Sequence, residues 1–152
     1  MSTIRNRPAG ARRPAAMYAG LALTIVATLA PLADILTVDT LTRHVRDAYP
    51  AWSPGQIAGD RNAIALFLGI TGVLGIICWL VTIRAVRKGR RWARIGSTAA
   101  LGLAVLMSLV TLTLGGAPYD VVVPPTFGVL TLLPCLAGLV AVVSLWRQGS
   151  RA

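Results

Sequence analysis

Apolar residues dominate four stretches of the chain, about 17–38, 62–83, 93–114 and 125–146, and short polar connections separate them. Each run has the roughly 20 residues that an α-helix needs to cross a bilayer core of about 30 Å. Backbone N–H and C=O groups must be paired internally in lipid, so single-segment runs of this length predict helices. The pattern describes an all-α membrane protein with four transmembrane helices.

Small residues recur inside three of these runs. Ala16, Gly20, Thr24 and Thr28 fall at spacing four in the first, and Gly96, Ala100, Ala104 and Ser108 at spacing four in the third. The second holds Ala65, Gly69, Gly72 and Gly75. Such stripes let another helix approach closely and predict packing surfaces. Pro31 and Pro134 each remove a backbone donor, which predicts kinks in the first and fourth helices, with Thr131 or a neighbouring helix offering partial satisfaction in the fourth.

The connections carry their own signals. Residues 1–16 hold Arg5, Arg7, Arg12 and Arg13 with prolines and no acid, predicting a disordered basic tail. The Arg12-Arg13 pair is followed by Pro14-Ala15-Ala16 and a run too long for a signal-peptide core, which favours an uncleaved first span. In the loop 39–61, Val38, Leu41, Val45, Ala48 and Tyr49 share one helical face, and Asp39–Arg43 and Arg43–Asp47 stand at i,i+4 spacing. A short amphipathic helix ending before Pro50 and lying on the membrane interface is expected there. Ser53-Pro54-Gly55-Gln56 reads as a capping box with proline at the first helical position, flanked by Trp52 and Ile57 at the staple positions. The second helix should start near Pro54. Gly115-Gly116-Ala117-Pro118 ends the third, and Pro124-Pro125 opens the fourth.

Charge then orients the chain. Arg84-Ala85-Val86-Arg87-Lys88-Gly89-Arg90-Arg91-Trp92-Ala93-Arg94 packs six bases and no acid into eleven positions between the second and third spans. Segments of this kind stay cytoplasmic. With the loop 84–92 inside, the tails 1–16 and 147–152 are cytoplasmic as well. The inner segments then carry 12 bases and no acid, against Arg43, Arg46 and Arg61 outside. Aromatics agree with this frame. Tyr18, Trp79, Trp92 and Trp146 fall near the inner boundary, and Tyr49, Trp52 and Tyr119 near the outer one.

A chain of 152 residues with mean hydropathy +0.70 and 13% charged residues leaves no room for a large aqueous module. Its net charge of +10 is laid out as membrane electrostatics requires, so nucleic acid is not the expected partner. The basic residues Arg84, Arg87, Lys88, Arg90 and Arg91 are candidate contacts to anionic headgroups on the inner leaflet. Asp34, about one turn from the outer boundary, is the candidate intramembrane polar site. The sole histidine, His44, reads as a loop residue. Cys78 and Cys135 form no CxxC or metal-spaced cluster and read as small packing residues. His44, Asp39, Asp47 and Asp60 stand at no spacing that assembles a catalytic pair, and Ser53 is a cap. No catalytic residue, cofactor or metal ligand is therefore assigned.

Lys88-Gly89-Arg90-Arg91-Trp92-Ala93-Arg94, opening a helix rich in Ser, Thr, Ala, Leu and Gly, is similar to a pattern in small uncharacterised four-helix membrane proteins of high-GC Gram-positive bacteria. The resemblance implies a multi-pass protein of a bacterial plasma membrane and brings no activity with it. The chain lacks the cysteines of the four-helix quinone-linked thiol oxidoreductases. It resembles small multidrug transporters in helix number, but its acid lies near the rim of the first span. Two functions are expected from these readings. The first is an accessory, assembly or membrane-organising protein with a membrane-protein partner or as a homo-oligomer. The second is a subunit of a small oligomeric transporter or channel using Asp34.

Overall fold

The computed structural model describes residues 12–90, 92–115 and 122–149. Five helices follow in order: α1 Arg12–Leu36, α2 Thr40–Ala48, α3 Pro54–Arg87, α4 Ala93–Thr113 and α5 Pro125–Gly149. No strand occurs among the described residues. Four of the helices, all but α2, are long and apolar enough to cross a membrane. This is the architecture of an integral membrane protein. Residues 1–11 of the expected basic tail, the candidate contact Arg91, and Tyr119 and Asp120 lie outside the described residues.

The helix limits correct the sequence reading in two places. The backbone of α1 is helical from Arg12, so residues 12–16 extend the helix where a disordered tail was expected. Proline is tolerated in a first turn, because the N–H it lacks has no intrahelical partner there. At its other end α1 stops at Leu36, two residues early. The chain then turns through Asp39, whose φ of 56° is left-handed. Aspartate tolerates this region better than most side chains.

α3 is one continuous helix of 34 residues, about 51 Å long at 1.5 Å per residue and well beyond a bilayer core. Its first turns carry the expected capping box: the Gln56 N–H donates to Ser53 Oγ (3.4 Å), and the Ser53 N–H to Gln56 Oε1 (3.0 Å). Trp52 and Ile57 pack beside it in one apolar cluster. α1 packs closely on both α3 and α5, and α4 on α5, while the seam between α3 and α4 is the thinnest of those that join two membrane-length helices.

The bundle has two distinct ends. At one, Leu41 and Val45 of α2 are fully buried (0% exposed) against Ile57, Ile64 and Leu68 of α3 and Val123 and Phe127 at the start of α5. The apolar face of α2 is thus covered by protein, where the sequence predicted a helix lying on the lipid interface. The charged pairs expected along it are also replaced. The Thr42 hydroxyl donates to Asp39 Oδ1, and the Arg43 guanidinium donates to the Val38 carbonyl at 3.2 Å. At the other end, Met17, Ile83, Ala141 and Leu145 form a second cluster beside the 88–92 connection.

Candidate functional site

Close packing marks the seam between α1 and α3. The stripe Gly20, Thr24, Thr28 of α1 meets Trp79, Gly75 and Gly72 of α3, running in the opposite direction. A Cβ at Gly20 would fall on the Trp79 indole, and one at Gly72 on the Thr28 side chain. Glycine is required at both by the approach of the neighbouring helix. Trp79 therefore turns inward, toward Gly20 and Gly138, and is not the boundary anchor its position in the sequence suggested. Tyr18, Trp92 and Trp146 remain about half exposed near the basic loop, and the Trp146 indole N–H ties α5 to Thr98 Oγ1 of α4 at 3.0 Å.

The α4 stripe behaves differently. Ala100, Ala104 and Ser108 face a cavity of about 380 Å³ enclosed by α1, α3, α4 and α5. Eight hydroxyls line it, and six of their protons are already used, all but those of Thr71 and Thr82. Thr24 donates to the Gly20 carbonyl (2.8 Å), Thr28 to Thr24 (2.6 Å), Thr111 to Met107 (2.8 Å), Thr131 to Gly128 (2.7 Å) and Ser97 to Ala93. Ser108 crosses from α4 to the Thr131 carbonyl of α5 at 3.2 Å, in the turn loosened by Pro134. The Thr131 hydroxyl serves Gly128 and Ser108 bonds the Thr131 carbonyl, so neither meets the Leu130 carbonyl that Pro134 leaves without its donor, the role the sequence suggested for Thr131. Among the described residues no charged side chain lines the cavity. Leu74 and Leu103, both lining residues, are 61% and 62% exposed. They mark a sideways opening between α3 and α4.

Asp34 lies away from this cavity. Its Oδ2 accepts the Leu41 N–H (3.0 Å) in the first turn of α2, and its carbonyl accepts from the Asp39 N–H (2.7 Å). A carboxylate at a helix N-terminus neutralises unsatisfied N–H groups and favours the helix dipole. Arg61 Nη1 reaches the Thr42 hydroxyl (3.4 Å) in the same region, and its Nε and Nη2 donate to Asn62 Oδ1 at 3.1 and 3.0 Å. Tyr49 and Trp52 stack with ring centroids 3.6 Å apart and close the turn after α2.

Cys135 is buried and within 3.6 Å of Ser108 Oγ, as a packing residue should be. Cys78 is exposed on the cavity rim instead. Among the described residues no group of three or more His, Cys, Asp or Glu stands close enough to hold a metal ion. Arg84, Arg87, Lys88 and Arg90 are all exposed at the end of α3 and in the connection that follows.

The cavity escaped the sequence reading, although a signal for it was present. Gly72 and Gly75 of α3 and Ala100 and Ala104 of α4 all line the same space. Small side chains on two helices close the gap only if the backbones move together. The α1–α3 contacts hold α3 elsewhere. No protein-family model, curated protein or solved structure matches the chain.

Proposed function

We propose that the chain is a non-enzymatic integral protein of a bacterial plasma membrane, acting as an accessory, assembly or membrane-organising protein. Both termini and the basic loop face the cytoplasm, and α2 covers the outer end of the bundle. One observation carries this reading: the exposed bases Arg84, Arg87, Lys88 and Arg90 crowd one end of a four-span bundle, with no acid between positions 84 and 94. Acids gather at the other end, where Asp34 and Asp39 hold α2. Each exposed base near an anionic leaflet contributes about 1 kcal/mol of attraction.

A reporter placed in the 115–124 loop is expected to read as external in intact cells. A cytoplasmic signal there would overturn the orientation. Transport through Asp34 draws no support from the site, because that carboxylate caps α2 and does not border the cavity. Native mass spectrometry from mild detergent tests the accessory role. A co-purifying membrane protein supports it, and a homo-oligomer without a partner favours a self-assembling function.

A further inference from the structure

We propose that the cavity between α3 and α4 holds one acyl chain of an anionic glycerophospholipid, with its phosphate on the basic residues at the loop end of the cleft. This rests on the membrane reading and cytoplasmic loop proposed above, and it names a ligand for them.

The walls select the chemistry of the occupant. Among the described residues they carry no charge, and the hydroxyl protons of Thr24, Thr28, Thr111 and Thr131 are held by carbonyls of their own helices, which leaves Thr71 and Thr82 as the hydroxyls with a proton to offer. A polar ligand would find few donors there, and ordered water needs two to four polar partners. An apolar occupant loses nothing by entering. The volume of about 380 Å³ falls within the range of pockets that take small apolar ligands.

Shape selects a chain. The lining runs from Leu68 to Thr82 on α3 and from Ser97 to Thr111 on α4. Either segment rises about 21 Å, more than the roughly 15 Å depth of one leaflet's hydrocarbon. The opening at Leu74, Cys78 and Leu103 faces sideways. Across a bilayer that direction is lipid, so a chain can enter from the leaflet without passing through water.

Charge selects the headgroup and its direction. Thr82 lies about 7.5 Å along the helix from Arg87, and Ser97 about 4.5 Å from Arg94. Lys88 and Arg90 stand in the connection between them, with no acid nearby in sequence. Arginine and lysine there match a phosphate, and arginine does so with paired hydrogen bonds. The far end of the bundle holds Asp34, Asp39 and Asp60, which disfavours the opposite orientation.

The test uses the full chain in mild detergent, incubated with phosphatidylglycerol or with phosphatidylcholine of identical chains. Native mass spectrometry should show a single phosphatidylglycerol retained, with phosphatidylcholine at least about ten-fold weaker. Ala104→Phe, which fills the cavity, should remove the retained lipid. Arg87→Gln, Lys88→Gln and Arg94→Gln together should level the two lipids. Equal retention of both lipids by the unaltered protein, or undiminished retention by a folded Ala104→Phe variant, would overturn the proposal.

A second readout needs no variant. Phosphatidylglycerol with a photoreactive group midway along one chain should label cavity-lining Ala100 or Ala104, about 9 and 15 Å along α4 from Arg94. Labelling confined to outward residues such as Ile77 and Val81 would show annular lipid only and end the proposal. Either failure leaves the reporter and partner results untouched.

Discussion

The two seams of α3 differ in how small residues are used. Toward α1, Gly72, Gly75 and Trp79 interlock with Thr28, Thr24 and Gly20, and no space is left for another methyl group at Gly20 or Gly72. Toward α4, an equally regular stripe of Ala100, Ala104 and Ser108 borders open volume. A stripe of small residues thus permits close approach but does not compel it. The outcome depends on what the facing helix presents. Thr24 and Thr28 of α1 fill the space over the α3 glycines, while Ala100 and Ala104 of α4 are too short to reach across.

Substitution can break this contrast on its tight side. Trp79→Ala removes the side chain that sits against Gly20 and Gly138. It should lower stability by about 3 kcal/mol, read from unfolding in mixed detergent micelles. Next comes a matched pair. Gly72→Leu has no room beside Thr28 and should cost about 2 kcal/mol by overpacking. Ala104→Leu, directed into the open seam, should change stability by less than about 0.5 kcal/mol. Equal losses from the two would remove the distinction between the seams.

The smallest effect sharpens the picture at the α2 end. Asp34→Asn keeps an acceptor for the Leu41 N–H but removes the charge at the start of α2. A loss of about 0.5 kcal/mol is expected, visible as faster hydrogen exchange in residues 40–48 with α3 unaffected. An unchanged exchange rate would show that the buried pair Leu41 and Val45 holds α2 without help from the carboxylate.

Much of the fold was legible because the membrane imposes a length rule. The spans expected at 93–114 and 125–146 lie within a few residues of α4 and α5. The Ser53 cap could be read because a local hydrogen-bond pattern needs only local residues. The destination of a helix face could not be read this way. The Leu41 and Val45 face looks the same in sequence whether lipid or Phe127 covers it, and only the three-dimensional arrangement decides. The same holds for Asp34. Its place near a span end was plain, but its partner, the Leu41 N–H, depends on the left-handed turn at Asp39. The site at the α3–α4 seam was hidden for a related reason, since an unfilled volume belongs to several helices at once.

The burial of α2 also sets an order of events during synthesis. Leu41 and Val45 emerge early, yet the cluster that buries them includes Val123 and Phe127 from the start of the last helix. Contacts this far apart in sequence form only after the intervening chain has been made and placed. The nascent protein can cover this face with Ile57, Ile64 and Leu68 of α3 first, and completes the cover only when its fourth span arrives. A chain cut short before α5 would keep the α3 side of that cluster and lack the Val123 and Phe127 side.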